Sequence, residues 1–106
     1  MAEVRWMPRA KSELRERLTY ARMEFGETTA NRWADSIKRI EHQLSIMPES
    51  FTPEPLLRGS IPIFRFCPVM KRFKLIYFYQ SASDTVFISD IWDSRMNPEA
   101  LKQRLT

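Results

Sequence analysis

Two apolar stripes of helical period lie end to end in the first half of the chain, and they constrain the fold more than any other feature. Ala10, Leu14, Leu18, Ala21 and Phe25 recur at steps of three and four with charged residues between them, which places them on one face of a helix. Ala30, Trp33, Ile37, Ile40, Leu44 and Met47 repeat the pattern with cleanly alternating steps. Pro8 suits the first turn of the first helix, where a missing N–H costs nothing, and Gly26 stands where a helix C-cap belongs. Pro48 stops the second helix. Between the stripes lies only the link GETT. Two amphipathic helices joined so tightly read as an antiparallel hairpin with one shared buried face, and that face needs a partner layer.

The second half supplies the partner. After PESFTPEPLLRGS, a loop with three prolines and a glycine, come IPIFRF, RFKLIYFY and TVFISDIW, rich in aromatic and β-branched residues. Ser81-Ala82-Ser83-Asp84 makes a turn between the last two, giving an antiparallel hairpin. Pro62 cannot donate to a ladder, so the first of these strands begins at an edge or pairs fully only beyond Pro62. EVRW, residues 3–6, makes a short leading strand. At the other end Asn97 is a good N-cap, Pro98 suits N1 and Glu99 favours the helix dipole. Leu101 and Leu105 of that short terminal helix stand one helical step apart, able to dock on the sheet. The reading is one α+β domain over residues 1–106: strand, antiparallel helix hairpin, three antiparallel strands and a short C-terminal helix.

Composition sets bounds on function. The length fits one domain with a modest core. One cysteine, Cys67, excludes an internal disulfide framework and fits a reducing cytoplasm. The charged first residues contain no apolar core of signal-peptide length, and no stretch is apolar enough to span a membrane. The expected location is cytoplasmic. Ser, His and Asp offer no triad, and neither metal-spaced ligands nor a Gly-rich phosphate loop is present, so no metal or cofactor is expected. His42 lies off the apolar stripe and reads as a surface residue. Cys67 has no histidine near it in sequence and reads as a sheet or turn thiol.

The net charge of +4 favours an anionic partner. From Leu57 to Tyr79 there is no Asp or Glu, while Arg58, Arg65, Lys71, Arg72 and Lys74 all fall inside that span, interleaved with Phe64, Phe66, Phe73, Tyr77, Phe78 and Tyr79. Most of those rings are needed for the core. The charges are harder to place structurally, because like charges held close repel unless an anion visits. A basic surface with exposed rings can hold phosphates and stack bases. Beyond the last strand stands DIWDSR. Trp92 reads as a ring buried at the strand end. Side-chain alternation puts Asp90 and Trp92 on one face and Asp93 on the other, so that one carboxylate flanks Arg95 as a local restraint. Arg95 is expected to project to the same side of the sheet as Lys74, opposite the helix hairpin.

The order of VRWMPRAKSELRERLTY, EFGETTANRW, LRGSIPIFRF and FKLIYFY…TVFISDIWDSRMNP resembles the RelE/ParE toxin superfamily of bacterial toxin–antitoxin modules, which includes plasmid stabilisation proteins. The resemblance covers nearly the whole chain. It implies a toxin neutralised by a cognate antitoxin protein. RelE-like members cut messenger RNA on the ribosome, whereas ParE-like members inhibit DNA gyrase without a hydrolytic site. Carried over residue by residue, the resemblance puts Lys74 and Arg95 at phosphate-holding positions and makes Arg65 the match for the basic residue of the preceding strand. Lys71 and Arg72 join them as target or phosphate contacts, and Tyr77, or Tyr79, is the stand-in for proton transfer if the chain is a ribonuclease. The pattern then breaks: MNPEALKQRLT supplies no tyrosine or histidine where ribonuclease members place a proton-transfer group. Missing acid–base catalysis is worth about 10²–10⁴-fold in rate. The resemblance therefore implies a ParE-like toxin that acts by binding, with RelE-like mRNA cleavage, or a member retaining only antitoxin binding, as the competing readings.

Overall fold

The computed structural model describes residues 1–105. In chain order it contains β1 (Glu3–Trp6), α1 (Pro8–Phe25), α2 (Glu27–Ile46), β2 (Phe64–Val69), β3 (Phe73–Gln80), β4 (Thr85–Asp93) and α3 (Pro98–Leu105), with single 3-10 turns at Pro55–Leu57 and Ser81–Ser83. The link between the long helices is shorter than GETT suggests. Glu27, Thr28 and Thr29 are already helical, and Gly26 alone makes the corner with φ of 92°. That left-handed value is one a side chain rarely adopts, which accounts for glycine here.

The strands form one mixed sheet in the order β1-β4-β3-β2. β2–β3 and β3–β4 are antiparallel, and β1 lies parallel to the first half of β4, from Thr85 to Ile88. α1 also packs against β4. β2 starts at Phe64, past Pro62, and runs through Pro68 to Val69. As the edge strand it tolerates Pro68. Its outer edge is partly covered by the preceding loop, where Glu54 N–H donates to the Phe64 carbonyl and Phe66 N–H to that of Thr52.

Residues directly opposite in neighbouring strands share a face, so the register sorts every side chain. Cys67, Val69, Leu75, Tyr77, Val86, Ile88 and Ile91 face the hairpin and are buried with Ala10, Ala21, Ala30, Trp33, Ile37 and Leu44. Phe25 and Met47, the last residue of each predicted stripe, are instead exposed. The opposite face carries a second, smaller core of Leu57, Phe64, Ile76, Trp92 and Leu101, roofed by α3 and the proline-rich loop. α3 begins as expected, with Asn97 Oδ1 accepting the Glu99 N–H at 3.1 Å.

The register slips by one residue between Ile76 and Tyr77, so Ser89 has no opposite number on β3. This bulge keeps Ile88 and Ile91 on the hairpin side and sends Asp90 with Trp92 to the other face. Asp93, opposite Phe73, returns to the hairpin side.

Candidate functional site

The basic residues of the sheet do not converge on one patch. Lys74 stands opposite Trp92 on the α3 face, where its Nζ lies 3.1 Å from both oxygens of Glu54 and 4.5 Å from the centre of the Phe66 ring. Glu54 is 1% exposed and also accepts the Leu56 N–H at 3.2 Å. The pair thus pins the proline-rich loop to the sheet. Arg65, opposite Tyr77, is on the other face. Its guanidinium donates to the Phe51 carbonyl at 2.8 Å and lies 3.7 Å from Glu49.

Arg95 is not beside Lys74 either, and the expectation that the two share a side of the sheet is overturned. The turn after β4 folds Arg95 back onto Asp93, which takes its N–H and Nε at 3.0 Å and its Nη2 at 2.8 Å. Because Asp93 points to the hairpin side, its partner goes there too. The side-chain hydrogen bond from Arg95 holds the Asp93 carboxyl below its ordinary range. Lys71 and Arg72 occupy the β2–β3 turn, exposed. The Arg72 carbonyl accepts both N–H and Oγ of Ser94, at 2.8 and 2.9 Å, tying that turn to the one carrying Arg95.

Neither tyrosine is placed for proton transfer at Lys74 or Arg95. Tyr77 is fully buried under the hairpin, its hydroxyl donates to the Pro48 carbonyl at 2.9 Å, and burial pushes its pKa up to about 12. Tyr79 donates to Asp84 at 2.7 Å across the β3–β4 turn. That hydrogen bond raises its pKa. Cys67 is completely buried, with burial pushing the thiol up to about 12, and His42 is exposed on α2. An inert core thiol and a solvated imidazole agree with the sequence reading.

Two constellations escape a linear reading. The first is a groove of about 470 Å³ between the closed end of the helix hairpin and the adjoining ends of β3 and β4. Arg17, Arg72 and Arg95 line it together with the rings of Tyr20, Phe25, Trp33 and Phe73. Trp33 meets Phe73 edge to face at 4.9 Å, and the Arg17 guanidinium lies 5.4 Å from the centre of the Phe73 ring. The second is a buried ion cluster. Arg104 of α3 reaches Asp90 of β4 at 3.0 Å and Glu13 of α1 at 2.9 Å, with its guanidinium 5.4 Å from the Trp92 ring centre. Asp90 is wholly buried and its Oδ2 has no hydrogen-bond partner. Burial raises its pKa to about 6 against the opposing pull of Arg104. Arg104 carried no signal in sequence, since its partners lie on other elements, and Arg17, four residues after Glu13 on α1, gave no hint of the ring it meets on β3.

Among the described residues, no three His, Cys, Asp or Glu side chains gather into a metal-ligand set, and no helix is long and apolar enough to cross a membrane.

Solved structures share this architecture. The chain is similar to a protein of the chromosomal ParDE toxin–antitoxin system of P. aeruginosa, with a TM-score of 0.67 and 15% identity over 88% of this chain and 96% of that one. It is similar to a toxin from Helicobacter pylori, described as metal-bound, with a TM-score of 0.65 and 14% identity over 90% and 97% of the two chains. The isolated E. coli RelE toxin gives a TM-score of 0.61 and 18% identity over 99% and 100%. At such identities the likeness speaks for the fold. No curated protein matches the sequence. A family model described as the ParE toxin of the type II toxin–antitoxin system parDE does match, over residues 4–98. With that much of the sequence accounted for, the chain belongs to the ParE toxin family of type II toxin–antitoxin systems.

Proposed function

We propose that this toxin acts by binding its target, such as DNA gyrase, rather than by cutting RNA, and that a cognate antitoxin neutralises it. The observation that carries the reading is the dispersal of the would-be phosphate clamp. Arg65, Lys74 and Arg95 occupy two faces and the end of the sheet, each within 4 Å of a carboxylate. Transition-state stabilisation needs donors already aimed at one developing charge, and three cations held apart by separate partners do not supply that. The side chain offered for proton transfer, Tyr77, is sealed in the core. α3 meets this side of the sheet with Leu101 and Leu105, which belong to the second core.

The test is to induce the protein without its antitoxin and follow plasmid supercoiling and transcript integrity in the same cultures. The expected result is a change in plasmid topology with transcripts intact. Site-preferring cleavage of ribosome-bound messages by the purified wild type would overturn the reading in favour of the RelE-like alternative. Growth inhibition absent altogether would favour a member retaining only antitoxin binding.

The antitoxin's character follows from charge and from the exposed apolar side chains of the hairpin. Tyr20, Met23 and Phe25 of α1 are 56%, 78% and 65% exposed, and the protein carries a net +4. A partner segment with acidic and apolar residues, crossing the hairpin toward the sheet edge, suits both. The complex is expected to weaken as salt rises, since exposed charge pairs are screened beyond about 8 Å at physiological ionic strength. A dissociation constant unchanged between low and high salt would remove the electrostatic part of this account.

A further inference from the structure

We propose that the groove at the closed end of the helix hairpin binds a nucleoside phosphate, either a free nucleotide or one unit of a single-stranded nucleic acid. Three guanidiniums, from Arg17 on α1, Arg72 in the β2–β3 turn and Arg95 after β4, line one groove. These elements are far apart in sequence and are brought together by the fold. Their charge is under-compensated. Arg72 has no carboxylate partner among the described residues, and Arg17 lies a loose 3.7 Å from Glu13, which also serves Arg104 at 2.9 Å. The Arg17 Nε is buried with no hydrogen-bond partner. Asp93, which brings the other nearby negative charge, is already engaged by Arg95.

The remaining wall is aromatic. Trp33 and Phe73 form the floor, while Tyr20 and Phe25 stand exposed at the mouth, 6.1 Å apart in an edge-to-face pair. Planar cations beside exposed rings are the chemistry that holds a phosphate and stacks a base. The volume of about 470 Å³ lies within the range of small-ligand pockets. One carboxylate side chain would leave most of this positive charge unanswered, whereas a phosphate brings up to two negative charges and several acceptor oxygens. A nucleoside phosphate therefore fits better than an acidic peptide.

The experiment measures binding of a fluorescein-labelled oligothymidylate to the toxin chain at low salt, with ADP as a competing free nucleotide and polyglutamate as a competing acidic chain. Three variants are compared: Arg72→Glu and Phe25→Ala in the groove, and Lys38→Glu, an exposed charge on α2 outside it. All three positions are exposed, and thermal melts verify that the variants stay folded. Arg72→Glu is expected to weaken oligonucleotide binding by at least about tenfold, and Phe25→Ala by roughly tenfold through lost stacking. Lys38→Glu should change it by less than about twofold. Displacement by ADP identifies the free nucleotide as a sufficient ligand, and binding that ADP leaves untouched identifies the strand as the source. The proposal is overturned if neither nucleotide probe binds. It is also overturned if Lys38→Glu weakens binding as much as Arg72→Glu, if Phe25→Ala has no effect, or if polyglutamate displaces the oligonucleotide as well as unlabelled strand does. None of these results bears on whether the toxin cleaves RNA.

Discussion

Trp92→Ala is expected to destabilise the domain by about 3–5 kcal/mol, the usual cost of truncating a large buried aromatic ring. Trp92 is 1% exposed and sits in the second core with Ile76, Phe64, Leu57 and Leu101. One side of its ring lies near the Arg104 guanidinium, so the indole also helps position the ion cluster. Removing it leaves a void under α3, a helix of only 8 residues. Isolated helices that short are unstable in water, and α3 depends on its docking surface. A domain of this size is stable by only about 5–15 kcal/mol, so the loss is a large share. Urea unfolding followed by far-ultraviolet circular dichroism measures it, with the midpoint falling and the slope unchanged. Trp92→Phe keeps a ring in the space and should cost clearly less. A drop below about 1 kcal/mol for the alanine variant would mean that the second core is not a structural element of consequence.

The sequence announced the larger core plainly and the smaller one only in part, for a physical reason. Apolar periodicity reports a face that one element buries along its whole length, so the stripes of α1 and α2 and the aromatic strands were legible. So were the cap at Asn97 and the turn at Ser81–Asp84, because turn and cap chemistry is local. The second face is covered piecemeal: the spacing of Leu101 and Leu105 marked the share of α3, but Leu56 and Leu57 come from a proline-rich loop, where no periodic signal exists. The basic run from Leu57 to Tyr79 looked uncompensated because its counter-charges lie outside that run. Glu54 and Glu49 come from the loop before it. The placement of Arg95 failed for a different reason: strand alternation ends at Asp93, and the following turn lets the guanidinium return to the carboxylate two residues earlier. The surroundings of Arg17 and Arg104 were invisible because other elements complete them: β3 brings Phe73 to Arg17, and α1 and β4 bring Glu13 and Asp90 to Arg104.

Asp90 is expected to make the stability of this domain rise as the solution is acidified from neutrality. Its carboxyl is completely buried, and burial lifts its pKa from 3.8 to about 6. The groups facing it are Arg104 of α3, which favours the charged form, Glu13 of α1, which opposes it, and Arg9 of α1, which favours it weakly; the Ile91 N–H adds a favourable hydrogen bond. Because the folded state binds the proton more tightly than the unfolded chain, lowering the pH favours folding. Above about pH 7 the native state carries the full cost of the buried charge, of order 3 kcal/mol at about 1.4 kcal/mol per unit of pKa difference. That cost is relieved progressively between about pH 7 and pH 4. Asp93 works in the opposite sense. Its lowered pKa stabilises the fold above the unfolded value and that contribution is lost as the pH falls below the ordinary carboxylate range. The two effects act in separate windows, so the urea midpoint should be higher at pH 5 than at pH 7 and fall again below about pH 4. Asp90→Asn keeps an acceptor for Arg104 without a titrating charge, and its midpoint should be flat between pH 7 and pH 5. Arg104→Ala should do the reverse, leaving the carboxylate buried without its cation at a cost of about 3–5 kcal/mol at neutral pH, much of it recovered on acidification. A wild type that loses stability from pH 7 to pH 5, or an Asp90→Asn variant that gains it as the wild type does, would show that the buried carboxyl does not titrate in that window.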